Sequence, residues 1–133
     1  MTLAIYQGQY IIQTLNMKHK LVDSIITGIQ EKKGRGIVVC DLTKIEDTIC
    51  QFFVVCEGNS PNQLRALVDS IKEEGRKTMD ESPIAVQGLE NCEWVAMDYG
   101  DVMVHLFLPE ARDHYQLETM WADAVISDIE TID

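Results

Sequence analysis

At 133 residues the chain fits one domain, long enough to bury a core without disulfide or metal staples. An apolar fraction of 46% against 25% charged residues is an ordinary globular balance and argues against disorder. The formal net charge of -11 makes direct gripping of phosphate backbones a poor reading and favours basic protein partners, although acidity that only keeps the chain in solution fits the composition as well.

Residues 1–16 are mildly apolar, with no basic leader region and no Arg-rich amphipathic pattern. They read as an N-terminal extension, either a flexible arm or a mis-assigned start, ahead of a single domain over residues 17–133. Residues 17–33 form a predicted helix, because Leu21, Val22, Ile25, Ile26 and Ile29 make one apolar stripe. Lys32 and Lys33 suit the negative end of its dipole, and Gly34 stops it. Residues 36–42, Gly-Ile-Val-Val-Cys-Asp-Leu, read as a buried strand, and residues 43–48 as a polar connector. Phe52-Phe53-Val54-Val55-Cys56 is a second strand of the same kind, closed by the turn signal Glu57-Gly58-Asn59-Ser60-Pro61.

Asn59 or Ser60 can cap the next helix, with Pro61 at its first position. Leu64, Leu67, Val68 and Ile71 carry that helix to about Lys77. Ser82-Pro83 breaks the chain, residues 84–86 form a brief strand, and Gly88 opens a loop. Residues 94–99 and 102–108 are two further strands separated only by Gly100-Asp101, which predicts a tight antiparallel hairpin. After Pro109, the residues Tyr115, Leu117, Met120, Trp121, Ala124, Val125 and Ile129 suggest one or two C-terminal helices. The order gives an α/β (α+β) layer fold, with one mixed β-sheet covered by helices.

Cys40, Cys50, Cys56 and Cys92 make no C-x-x-C pair and lie near no histidine cluster, so neither a zinc site nor a disulfide framework is expected. Cys40 and Cys56 read as small core residues, and the pattern suits a reducing compartment. No apolar window is long enough for a transmembrane helix, and a bacterial cytoplasm is the expected setting.

The phosphate-cradling, dinucleotide-binding, zinc-protease and serine-hydrolase motifs are all missing from the sequence. The best enzymatic constellation is Gly58-Asn59-Ser60 after a strand, with Asp98 and Asp101 on a later hairpin. Backbone N–H groups at such a turn can hold phosphate, and paired carboxylates can hold magnesium. That layout resembles nucleotidyl transfer, yet Ser60 as a helix cap and Asp101 as a turn residue explain the same spacing. The three histidines, His19, His105 and His114, nominate no triad. On the strand over 94–99, alternation puts Trp94, Ala96 and Asp98 on one face and Val95, Met97 and Tyr99 on the other. Both faces carry large apolar groups, which suits either a strand buried on both sides or a docking patch.

The segment over residues 88–107, GLENCEWVAMDYGDVMVHLF, resembles the signature of the ribosomal silencing factor (RsfS, Iojap-like, YbeB) family. Residues 37–41 are similar to that family's first strand, and residues 115–124, YQLETMWADA, to its C-terminal block. The resemblance spans about residues 17–124. It implies a nucleotidyltransferase-like fold without transferase activity and with no cofactor or metal. It implies binding to the large ribosomal subunit through its ribosomal protein number fourteen, a basic protein on the intersubunit face. Small-subunit joining is then blocked and translation repressed. The carried-over contact surface is Trp94, Met97, Asp98 and Tyr99, with Asp101 and His105 nearby. Nucleic acid is not expected as the main contact, a membrane is not expected at all, and a homodimer is an open possibility of the reading. Two departures stand out: Gln51-Phe52-Phe53 where members often have Asp-Tyr-Phe, and Ser60-Pro61-Asn62 where they often have Ser-Ser-Arg. Both remove a charge from the region matching a transferase pocket.

Overall fold

The apolar stripe of the first helix is the foundation of the core. In a computed structural model that describes residues 17–45, 50–115 and 125–132, helix α1 (Met17–Glu31) buries Leu21, Val22, Ile25, Ile26 and Ile29. The helix ends two residues before the expected position. Lys33 turns into the left-handed region at φ 63, its N–H donates to the Gln30 carbonyl (3.1 Å), and Gly34 N–H donates to the Ile29 carbonyl (2.9 Å). Those two bonds satisfy carbonyls that the helix end leaves open.

Strands β1 (Arg35–Asp41) and β2 (Phe52–Glu57) follow, then α2 (Pro61–Met79). Ser60 caps α2 by accepting the Gln63 N–H (3.1 Å), with Pro61 opening the helix, while Gln63 Oε1 accepts the Asn59 N–H (2.7 Å). The short β3 (Ala85–Gln87) leads to β4 (Trp94–Asp98) and β5 (Val102–Phe107), and α3 (Pro109–Tyr115) follows at once. The six strands run in the order β3-β4-β5-β2-β1-β6, where β6 is Val125–Ile129. Only β2 and β5 pair in parallel, and α2 with the β3–β4 meander supplies the crossover that a parallel pair requires. This is the expected mixed sheet with helices against it.

The C-terminus departs from expectation. The apolar spacing of Val125 and Ile129 predicts a helix stripe, but residues 125–129 form β6, antiparallel to β1 from Ile37↔Ile129 to Asp41↔Val125. The spacing of Val125, Ile126 and Ile129 suits either conformation. The choice falls to β1, whose outer edge would otherwise leave its N–H and C=O groups unpaired. The remainder of the proposed C-terminal helices, residues 116–124, lies outside the described residues.

One face of the sheet packs under α1 and α2 through Ile37, Val39, Phe52, Val54, Val95, Met97, Val102, Val104 and Leu106. The opposite face holds a smaller cluster of Val38, Cys40, Leu42, Cys50 and Phe53, with Ile45 and Met103 against it. All four cysteines are buried and none is in a disulfide. On that second face Arg112 of α3 donates to the Gly36 carbonyl (2.6 Å) and to Glu57 Oε2 (3.1 Å). The pair ties α3 to one end of β1 and β2.

The two long helices touch backbone to backbone. Ser70 Oγ donates to the Gly28 carbonyl (2.8 Å), and a Cβ at position 28 would lie 2.8 Å from Ile71 Cα. Helix propensity alone predicts that Gly28→Ala adds about 1 kcal/mol of stability. The crossing predicts the reverse, because the obstructing atoms are main chain and the helices must separate. Gly28→Ala is expected to destabilise by about 1–2 kcal/mol in urea denaturation. A more stable variant would show that the helices move apart freely.

Candidate partner-binding face

Strand β4 has two distinct sides. Val95, Met97 and Tyr99 are buried under α1 and α2, whereas Trp94, Ala96 and Asp98 stay half-exposed on the other side. Of the six expected contact residues, Trp94, Asp98 and His105 therefore share one face, and Asp101 is exposed at the hairpin tip. Met97 and Tyr99 do not join them. Met97 is 0% exposed and Tyr99 7%, because the pleat that turns Trp94 outward must turn them inward. Burial, with Glu81 adding to it, pushes the Tyr99 phenol up to about 12, so it stays protonated in the core.

The hairpin register assembles an aromatic cluster at the Trp94 end. Trp94 pairs with Phe107, and their rings stack at 5.2 Å with 25° between planes. His105 lies one pleat away, 5.8 Å from the Trp94 ring, with Phe53 edge-on at 5.1 Å. The Trp94 indole Nε1–H donates to His105 Nδ1 at 3.0 Å. That bond fixes the tautomer, since a nitrogen accepting a hydrogen bond carries no proton. Burial lowers the His105 pKa to about 4, so the ring is neutral at ordinary pH, with its proton on Nε2. Nε2 is buried and has no hydrogen-bond partner among the described residues.

Just past the cluster, Leu108 N–H donates to the Glu93 carbonyl (2.9 Å) and continues the ladder by one step. There α3, with Leu108 before it and Glu93 just ahead of β4, borders an open recess of about 340 Å³ lined by Glu93, Leu108, Glu110, Ala111 and His114. Glu93, which lines this recess with Glu110, immediately precedes the half-buried Trp94 in the chain. At the opposite end Asp98 Oδ1 accepts the Gly100 N–H (2.7 Å), which shapes the hairpin turn.

The rival constellation of Ser60 with Asp98 and Asp101 is not assembled. Gly58 N–H bonds the Phe107 carbonyl at one end of β5, while the Asp101 carbonyl accepts from Gln51 and Phe52 at the other. The length of β5 lies between Ser60 and Asp101, roughly 17 Å at strand spacing. One magnesium ion cannot bridge that gap. Among the described residues no group of three His, Cys, Asp or Glu side chains could hold a metal ion, and no helix is long and apolar enough to cross a membrane. Sequence reasoning missed Phe107, Phe53 and the Glu93–Glu110 recess. The first was accessible, because a two-residue turn at 100–101 pairs 94 with 107 by counting.

An aromatic sheet face on a mixed α/β scaffold is a candidate binding surface. The comparisons give that scaffold a family. Residues 15–133 match the family described as "Ribosomal silencing factor during starvation", and the chain belongs to this RsfS family. It is similar to the ribosomal silencing factor RsfS of Bacillus subtilis (strain 168), 34% identical over 103 residues, covering 75% of this chain and 83% of that one. It is also 26% identical over 102 residues to the mouse "Mitochondrial assembly of ribosomal large subunit protein 1", covering 75% of this chain and 44% of the mouse protein. The X-ray structure of a Chromobacterium violaceum protein superposes with a TM-score of 0.74 at 30% identity, covering 81% of this chain and 88% of that one.

Proposed function

We propose that this protein binds the large ribosomal subunit and, by occupying its intersubunit face, keeps the small subunit from joining, so that translation falls. The contact is the Trp94 face, and the partner on the subunit is the basic ribosomal protein number fourteen. Family membership supports the ribosome as target. The observation that carries the rest is the half-buried Trp94 indole on an aromatic sheet face, next in the chain to Glu93 of the Glu93–Glu110 recess. It combines an aromatic anchor with carboxylates placed for a cation, while the net charge of -11 draws a basic partner inward. The mechanism is steric, so it calls for affinity and position and no reacting group. This module acts by binding and not as an enzyme.

Sedimentation with purified subunits tests the reading. The protein is expected to travel with large subunits and not with small ones, and to lower the yield of joined ribosomes when both are present. Failure to travel with large subunits at moderate salt would sink it. A second reading, self-association, draws on Ile84, which is 74% exposed beside the edge strand β3. Sedimentation equilibrium separates the two, since a monomer at micromolar concentration removes the dimer.

A further inference from the structure

The His105 imidazole is poorly explained as a packing group. It is 6% exposed, lies between Phe53 and Phe107, and faces Val55 and Ala96 on the neighbouring strands. A leucine or phenylalanine would fill such a site without burying an Nε2–H that has no partner among the described residues. What the imidazole adds is one acceptor, Nδ1, and that acceptor is held by Trp94. The stack on Phe107 sets the plane of the indole but leaves open which edge faces the sheet. A hydrogen bond to the indole N–H selects one edge.

We propose that His105 is a positioning residue: its Nδ1 holds the Trp94 indole in the orientation that docks, without itself touching the partner. The inference rests on the reading of the Trp94 face as the docking surface. It also explains why the imidazole is kept neutral by burial, since a protonated Nδ1 could not accept from the indole. Orientation fixed before contact saves the ordering cost that a swivelling side chain would incur on binding.

The test uses the full chain with three substitutions, His105→Phe, His105→Leu and His105→Asn. Three quantities are read: the thermal midpoint, the Trp94 indole N–H resonance (assigned with Trp94→Phe), and co-sedimentation with large subunits. The two apolar variants are expected to fold with a midpoint at or above wild type, because they remove the unpartnered Nε2–H. Their indole N–H is expected to shift upfield and exchange faster, and binding to weaken about tenfold. His105→Asn can present a carbonyl where Nδ1 stood, and is expected to recover both the resonance and the binding. Apolar variants that bind like wild type overturn the proposal. So does a pair of apolar variants that fail to fold, since His105 is then a structural residue. If wild type itself does not travel with large subunits, the docking reading falls and the docking role with it. An indole resonance that still moves in the variants would then leave only the local hydrogen bond standing.

Discussion

Gly88→Ala is expected to lower stability by about 3 kcal/mol or more, the largest effect of any single methyl group considered for this chain. Gly88 sits at φ 97, beyond the left-handed helical region that other residues occasionally adopt. A Cβ there would overlap the Trp94 carbonyl oxygen and lie 3.2 Å from its carbon, both main chain. No rotamer relieves that contact. The backbone must leave its conformation, at roughly 1–3 kcal/mol, and β4 must shift, at a similar cost. The Gly88 carbonyl also accepts the Cys92 N–H (2.9 Å), so the loop that launches β4 is disturbed as a unit. Urea denaturation with far-UV circular dichroism measures the loss. Because Trp94 begins the strand that this loop aims, ribosome binding is expected to fall along with stability. A variant as stable as wild type would show that residues 88–93 adopt another path without penalty.

Trp94→Ala is expected to weaken binding to large subunits at least 30-fold, which corresponds to about 2 kcal/mol and is typical of a central aromatic anchor. The substitution removes the indole that stacks on Phe107 and bonds His105. A folding loss of about 1–3 kcal/mol accompanies it, since the side chain is half-buried, so binding is measured well below the melting transition. Salt separates the two parts of the contact. The carboxylate contribution fades as ionic strength rises, whereas the aromatic contribution persists, so the ratio of wild-type to variant affinity should change little between low and moderate salt. Sedimentation at two salt concentrations measures that ratio. A folded Trp94→Ala variant that binds as well as wild type would move the contact to another surface, though not away from the ribosome.

Much of this architecture was legible in local pattern. The stripe Leu21, Val22, Ile25, Ile26, Ile29 specifies a helix with one buried side, and it is buried. Ser60 before Pro61 specifies a helix start, and Ser60 caps it. Gly100-Asp101 specifies a two-residue hairpin, and that count fixes which residues of β4 and β5 face each other. Alternation divided β4 correctly into Trp94, Ala96, Asp98 and Val95, Met97, Tyr99. These features depend on residues within a few positions of one another, where steric preference and periodicity act directly.

What local pattern left open was decided by partners distant in the chain. Alternation separates the two sides of β4 but cannot say which one the helices cover; α1 and α2 cover Met97 and Tyr99, and that leaves Trp94 and Asp98 to the surface. Val125–Ile129 is a strand because β1 offers it a ladder some ninety positions away. Ser60 and Asp101, both plausible in a catalytic turn, are held at opposite ends of β5 by the parallel pairing with β2. The sequence by itself determined the elements before residue 116 and the hairpin register, and it nominated the Trp94 strand for a binding role. Only the tertiary structure decided which face of that strand meets solvent and that His105 grips the indole, because burial and hydrogen bonding belong to the assembled sheet.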